Sequence, residues 1–161
     1  MAEQNAAAPR TNTMNKAGWA VGTTTTISFT ANPLLFKVLG RDGSKATVTN
    51  GATPTLDANT GVAFLPVPVS KCCYFRLGYS LAGTLSVVQG SIESLDATNA
   101  PITLPTFPEF AASICPAGAI FVKVGSTGAA WTFGVSNLAG PPTGVVFVIV
   151  DGDFIDRPFT A

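Results

Sequence analysis

The stretch from residue 71 to residue 90 contains two runs of alternating side chains separated by a glycine-containing turn. In the first run Cys73, Phe75 and Leu77 occupy every second position, which is the pattern of a strand with one buried face. The second run alternates in the same way, and Gly83 lies where a short hairpin loop commonly needs a positive φ angle. The stretch therefore predicts a β-hairpin. Two strands are unstable alone in water, so the rest of the chain or another subunit must cover the apolar face.

The rest of the chain repeats this pattern of short strands. Further predicted strands lie at 23–29, 34–39, 45–49, 119–124, 131–133 and 145–150. Twelve prolines and sixteen glycines lie among them, and no long window has helical spacing. Arg41-Asp42-Gly43 is a predicted turn, and the prolines of 101–116 allow at most one or two helical turns there. We predict an all-β fold, a jelly-roll-like β-sandwich, with a small β-barrel as the alternative.

The first eighteen residues differ in composition from the rest. A chain of 161 residues is long enough for one domain that needs neither metal nor disulfide. Residues 1–18 are polar and aperiodic, so we predict an extended or disordered N-terminal arm, followed by a single all-β domain at 19–161. The arm is either a flexible terminus or a segment that binds a partner or a neighbouring subunit through Arg10, Lys16 and Trp19.

Charge is scarce in this chain. Only 11% of residues are charged, 47% are hydrophobic and the net charge is zero, which is too little charge for a small free-standing monomer. We expect a homo-oligomer, with a poorly charged monomer as the alternative. Because 145–150 is apolar on both faces, Val146, Val148 and Val150 are the predicted subunit interface.

The two halves of the chain carry opposite formal charge. Residues 1–76 hold seven basic and three acidic residues, and residues 77–161 hold two basic and six acidic residues. An acidic partner or a head-to-tail neighbour would recognise this asymmetry. The nine basic residues form no cluster, so we expect no nucleic acid as the main partner.

Residues for catalysis or metal binding are few. The chain has no histidine, which removes His-based triads and the commonest metal ligand. The acidic groups that remain are Glu93 with Asp96, and Asp151 with Asp153 and Asp156, and they follow strands in predicted turns. Residues 151–153 read DGD but lack the further acidic ligand of a calcium loop, so a solvated turn is the preferred interpretation. We predict a protein that is not an enzyme and has no cofactor and no metal.

The cysteines and the N-terminus bear on localisation. No apolar run approaches about 18 residues, so we expect no membrane association. The polar N-terminus lacks an apolar signal segment, so folding is expected in the cytoplasm, where Cys72, Cys73 and Cys115 would stay reduced. Cys73 and Cys115 are predicted to be small buried hydrophobes, with Cys72 on the outer face.

Three longer stretches and the FIDRP ending carry a family resemblance. The stretches are TGVAFLPV, then CCYFRLGYSLAGTLSVVQGSIESLDA, and then FPEFAASICPAGAIFVKVGSTGAAWTFGVSNLAG. In their order along the chain and their general residue pattern, these stretches resemble small head-decoration or cement proteins of tailed bacteriophages. The resemblance covers roughly 53–158 and contains no single diagnostic motif.

The resemblance implies a virion protein on the capsid exterior, made in the host cytoplasm. Such a protein would bind the major capsid protein, often as a trimer, and stabilise the shell by bridging capsomers. Two alternatives stay open. One is a tail or baseplate structural subunit, and the other is a carbohydrate-binding host-attachment module with Trp19, Tyr74, Tyr79 and Trp131 as stacking platforms.

Overall fold

A computed structural model describes residues 11–25, 27–29 and 33–151 of the protein. These residues form eleven strands and no helix. The strands are β1 (Asn12–Thr13), β2 (Trp19–Val21), β3 (Ile27–Phe29), β4 (Leu34–Val38), β5 (Arg41–Lys45), β6 (Val48–Gly51), β7 (Lys71–Ser80), β8 (Leu85–Gln89), β9 (Glu93–Ser94), β10 (Ile114–Val124) and β11 (Val145–Asp151).

The strands form three antiparallel sheets. The central sheet has the order β11-β10-β7-β8, and β9 also pairs with β7. Two three-stranded sheets have the orders β1-β4-β5 and β2-β3-β6. Leu34, Phe36 and Val38 of β4 share one hydrophobic core with the inner face of the central sheet. Sheets that pack face to face in this way form a β-sandwich, so the predicted all-β sandwich is confirmed.

The predicted hairpin is present as β7 and β8. The register pairs Tyr79 with Leu85 and Phe75 with Gln89. Gly83 has a φ of 74°, and its N–H donates to the carbonyl of Ser80. A residue with a side chain is disfavoured at such a φ, which explains the glycine. The inner face of β7 lies in the core, as its alternation predicted.

The predicted turn at 41–43 is wrong. These residues belong to β5, and the chain reverses at Leu39 and Gly40, whose φ values are 49° and 77°. Gly43 is needed for a different reason, because a Cβ there would come within 2.6 Å of the Phe36 ring. The glycine therefore leaves room for a core side chain on the neighbouring strand.

Strand β10 is longer than predicted. The segment 101–113 contains no helical turn, which lies within the predicted limit, but β10 begins already at Ile114 rather than at Ala119. It continues through Pro116 because the register shifts there, and such a bulge accommodates a residue that cannot donate a hydrogen bond. The predicted strand 131–133 is instead a buried segment held by one bridge between Val67 and Trp131.

Residues 11–18 of the predicted arm are extended and packed on the domain. Thr13 pairs with Phe36 across β1 and β4, and Ala17 is fully buried. The backbone N–H groups of Ala17 and Gly18 donate to the Asp151 carboxylate at 2.9 and 2.6 Å. This part of the arm thus belongs to the fold of its own chain, whereas residues 1–10 lie outside the described residues.

Candidate interaction surfaces

The outer face of the central sheet carries a row of apolar side chains. The register places Val148 of β11 beside Phe121 of β10, and Phe121 beside Tyr74 of β7. The alternate residues of β11, such as Phe147 and Ile149, pack against the core. Strand β11 is therefore apolar on both faces, as predicted, and only its inner face is covered by the described chain.

A proline-rich segment covers one half of this outer face. We call residues 101–113 the strap. Arg76 fixes the strap, because its Nη1 donates to the carbonyl of Pro108 at 3.1 Å and contacts the Glu109 carboxylate at 3.0 Å. The Arg76 guanidinium also lies 4.8 Å from the centre of the Phe107 ring, a cation–π distance. Phe107 in turn meets the Tyr74 ring edge-on at 5.6 Å.

The strap does not extend over β11, and a groove of about 320 Å³ lies between them. We call it the outer groove. It is lined by Tyr74, Pro101, Leu104, Phe121, Lys123, Val148 and Val150. Most of these side chains are apolar; the polar groups are the Tyr74 hydroxyl and the Lys123 ammonium, whose Nζ donates to the Asn99 carbonyl at 3.4 Å. Burial raises the pKa of the Tyr74 hydroxyl further above physiological pH.

The three predicted interface residues all lie beside or in this groove. Val146 is 54% exposed, Val148 is 49% exposed and Val150 is partly buried. Their shared face follows from the two-residue period of β11. An exposed apolar row beside a groove is typical of a surface that another molecule covers, while the interface itself stays a prediction.

A second apolar surface lies at the opposite edge of the central sheet. Residues 56–65, which we call the β8-edge loop, pack beside β8 through a hydrogen bond from the Ala58 N–H to the Val87 carbonyl at 2.8 Å. In this loop the residues Leu56, Val62 and Leu65 are 52%, 62% and 63% exposed to solvent. We call these three exposed aliphatic side chains the apolar tip.

Asp57 holds this loop in shape. Its Oδ1 accepts hydrogen bonds from the N–H groups of Asn59 and Thr60 at 2.9 and 3.0 Å. Its Oδ2 accepts from the N–H of Gln89 at 2.7 Å, which ties the loop to β8. The sequence analysis did not predict this loop, although the residues Asp57-Ala58-Asn59-Thr60-Gly61 are typical of an Asx turn. The apolar tip is therefore presented by a preorganised loop.

The predicted arm residues do not form one surface. Arg10 lies outside the described residues, and Lys16 is exposed. Trp19 is buried, stacks on Tyr79 with ring centres 6.0 Å apart, and donates from Nε1 to the Ala117 carbonyl at 2.8 Å. A tryptophan is buried favourably when its N–H finds a partner, so Trp19 anchors the start of β2 in its own chain.

The proposed stacking platforms are also internal. Trp19, Tyr74, Tyr79 and Trp131 are 8%, 5%, 3% and 0% exposed. A platform for a sugar ring must present an aromatic face to solvent, and these four rings present theirs to the core or the strap. The carbohydrate-binding alternative loses the residues on which it was based.

The acidic residues singled out as candidate catalytic groups have structural partners. Asp96 closes its own turn by accepting from Thr98 and Ala100, and the Thr98 hydroxyl bond is the main reason that the Asp96 pKa is lowered. Asp151 receives the two N–H groups at the start of β2, and Glu93 lies in β9. Asp153 and Asp156 fall beyond the described residues.

The thiols are poor nucleophiles. Burial raises the pKa of Cys72 to about 11 and that of Cys73 to about 12, so both stay protonated near neutral pH. All three cysteines are free and buried, which confirms the prediction for Cys73 and Cys115. Cys72 faces outward from β7, as predicted, but it too is fully buried. Within 11–25, 27–29 and 33–151, no group of three or more metal-ligating Cys, Asp or Glu side chains was found.

Among the residues that the structure covers, no helix has the length and hydropathy needed to cross a membrane. No family model, no curated protein and no solved structure matches the chain. The class that the structure defines is an all-β sandwich with two exposed apolar surfaces.

Proposed function

We propose that this chain is a non-enzymatic structural protein of a tailed-phage virion. It binds the outer surface of the capsid as a homotrimer, contacts the major capsid protein and stabilises the shell by bridging capsomers. Val146, Val148 and Val150 of β11 form part of the contact between its subunits. The proposal combines the sequence resemblance with the surfaces described above.

The observation that carries the proposal is the apolar outer face of β11. Val146 and Val148 are about half exposed at the edge of a sheet in a chain with only nine basic and nine acidic residues. Burying apolar area yields about 25 cal/mol per Å², so covering this face and the neighbouring groove favours association. A cement protein needs such surfaces, because its function is to hold neighbouring capsid subunits together.

The fold supports the same proposal. The central sheet is fully antiparallel and its longest strands have 10 and 11 residues. Its core contains a network of aromatic contacts, such as Phe75 with Phe133 at 5.0 Å and Phe64 with Phe133 at 5.3 Å. A scaffold of this kind presents surfaces in fixed positions, which bridging requires.

Association is tested by light scattering of the purified chain and of two variants. We expect the intact chain to be a trimer at tens of micromolar. Val148→Arg places a charge in the contact and should shift the chain to monomers, whereas Leu35→Arg on β4 should not. Leu35 is a matched control because it is 45% exposed and lies on a different sheet.

Capsid binding is tested by co-sedimentation with capsids of the phage that encodes the chain. We expect saturable binding of the intact chain and greater resistance of the decorated shells to heat. A chain that is monomeric in solution and does not sediment with these capsids would overturn the proposal.

A further inference from the structure

We propose that the β8-edge loop of one subunit docks into the outer groove of the next, so that subunits join head to tail. This inference rests on the proposed homotrimer and names the two surfaces that make it. The loop is residues 56–65 with its apolar tip, and the groove lies between the strap and β11.

The positions of the two surfaces in the fold carry the inference. The β8-edge loop is bonded to β8, one edge of the central sheet, and the groove includes β11, the other edge. The groove also includes Tyr74 of β7 and Phe121 and Lys123 of β10, so it lies on the outer face of the sheet, whereas the loop lies beyond β8. Because the donor surface and the acceptor surface are separate, each copy can bind two neighbours at once.

A symmetric trimer needs a head-to-tail contact, in which two different surfaces meet. A contact in which the same patch meets itself closes after two copies. A contact between two different patches closes into a ring when its rotation allows, and otherwise extends into a filament. If the β11 face met only another β11 face, the result would be a dimer. A trimeric ring therefore needs a second surface that is complementary to the groove, and the β8-edge loop is an exposed apolar surface separate from the groove.

The loop and the groove fit each other in chemistry. Val62 and Leu65 are 62% and 63% exposed, and the groove of about 320 Å³ has room for more than one aliphatic side chain. Asp57 and its bonds to the loop backbone fix the tip before it binds. A preorganised loop loses little conformational entropy on docking, which favours affinity.

The charges beside the two surfaces are opposite in sign. Asn59 of the loop donates to the carbonyl of Glu109, whose carboxylate side chain is 85% exposed. Lys123 lines the groove, and its Nζ donates to the Asn99 carbonyl at 3.4 Å. Glu109 is already paired with Arg76 of its own chain at 3.0 Å, so the approach of Glu109 to Lys123 would add a weak orienting attraction and little affinity.

A mixing experiment tests the head-to-tail contact. The loop variant carries Val62→Arg and Leu65→Arg, the groove variant carries Val148→Arg, and Leu35→Arg is the control. Each of the first two should be monomeric alone, because every ring contact needs one loop and one groove. A mixture at equal concentrations should form a dimer, because one intact loop still meets one intact groove.

A loop variant that remains trimeric, or a mixture that stays monomeric while both variants are folded by circular dichroism, would overturn the inference and leave the proposed function standing. A wild-type chain that is monomeric both free and on capsids would overturn both.

A cross-link provides a second measurement that does not depend on the charge variants. Val62→Cys and Val148→Cys together should form a disulfide between subunits under mild oxidation, since the three native cysteines are buried. Neither single variant should form disulfide-linked dimers or trimers. If Val148→Cys reacts freely with a thiol reagent in the trimer and becomes protected only on capsids, the occupant of the groove is the capsid protein and the inference is wrong.

Discussion

At the scale of single residues, burial separates structural side chains from reactive ones. Cys72 and Cys73 are fully buried on opposite faces of β7, with Cys73 in the core and the Cys72 Sγ 3.7 Å from the Glu93 carbonyl oxygen. Burial disfavours the thiolate, so their pKa values rise from an ordinary value of 9.0 to about 11 and about 12. The same effect raises the pKa of Tyr79. These groups therefore contribute packing as neutral side chains.

The raised thiol pKa values predict a loss of stability at alkaline pH. Above about pH 9 the unfolded chain releases thiol protons that the folded chain keeps, so the unfolded state binds fewer protons. Stability must then fall as pH rises toward the folded pKa values, by at most about 1.4 kcal/mol per pH unit for each thiol. Urea unfolding at a series of pH values measures the slope.

The control for this prediction is the double variant Cys72→Ala with Cys73→Ala. It should be less stable at neutral pH because it loses packed sulfur atoms. Its stability should decline less steeply above about pH 9, since the two raised thiol pKa values are removed and those of Tyr74 and Tyr79 remain. Equal slopes for the two proteins would contradict the assignment to the thiols.

At the scale of elements, the short strand β1 joins the N-terminal part of the chain to the sandwich. Thr13 is buried in its pairing with β4, and the Thr11 hydroxyl accepts from the Leu39 N–H at 3.0 Å. Asp151, at the end of β11, receives the Ala17 and Gly18 N–H groups. Residues 11–18 thus connect the sheet of β4 with the edge strand that borders the outer groove.

Two truncations separate this structural part from the rest of the arm. A chain that starts at Thr11 keeps every contact described for β1, so its free energy of unfolding should be close to that of the intact chain. A chain that starts at Gly18 loses β1, Ala17 and one N–H bonded to the Asp151 carboxylate. It should be less stable by at least about 2 kcal/mol in urea unfolding. Equal stability of the two truncated chains would show that residues 11–17 are dispensable.

Much of this element structure was readable from the sequence, and the errors have physical causes. The β7–β8 hairpin was predicted because alternation and a turn glycine agree. Strand β5 was missed because its sequence, RDGSK, has turn composition, while its place beside β4 and the Phe36 ring over Gly43 decide its conformation. Strand β10 was predicted too short because a bulge absorbs Pro116.

The candidate surfaces were only partly readable. The outer face of β11 was predicted because six consecutive apolar residues leave apolar side chains on both faces of a strand. The outer groove was not predicted, since its position depends on how far the strap extends across the sheet. Trp19 was assigned to a partner surface because it ends a polar segment, but its indole N–H finds the Ala117 carbonyl inside the fold. Tertiary contacts of this kind have no local signal.

At the scale of the whole molecule, the scarcity of charge predicts which forces would hold the proposed subunits together. The described chain contains the ion pairs Lys37–Asp42 and Arg76–Glu109, both within one subunit. The proposed contact between subunits is apolar apart from the approach of Glu109 to Lys123. An exposed ion pair contributes at most about 1 kcal/mol, and salt weakens it. Apolar burial should therefore dominate the association.

This balance predicts that the oligomer withstands salt. Between about 0.1 M and about 1 M salt the Debye length falls from about 10 Å to about 3 Å, which screens charges but leaves apolar contacts intact. Sedimentation velocity at tens of micromolar should show the same trimer at both salt concentrations. The variant Lys123→Gln should also remain a trimer, whereas Val148→Arg should be monomeric at both. Dissociation of the intact chain at about 1 M salt would instead show that charged groups hold the subunits together, because strong salt does not weaken the burial of the β11 face.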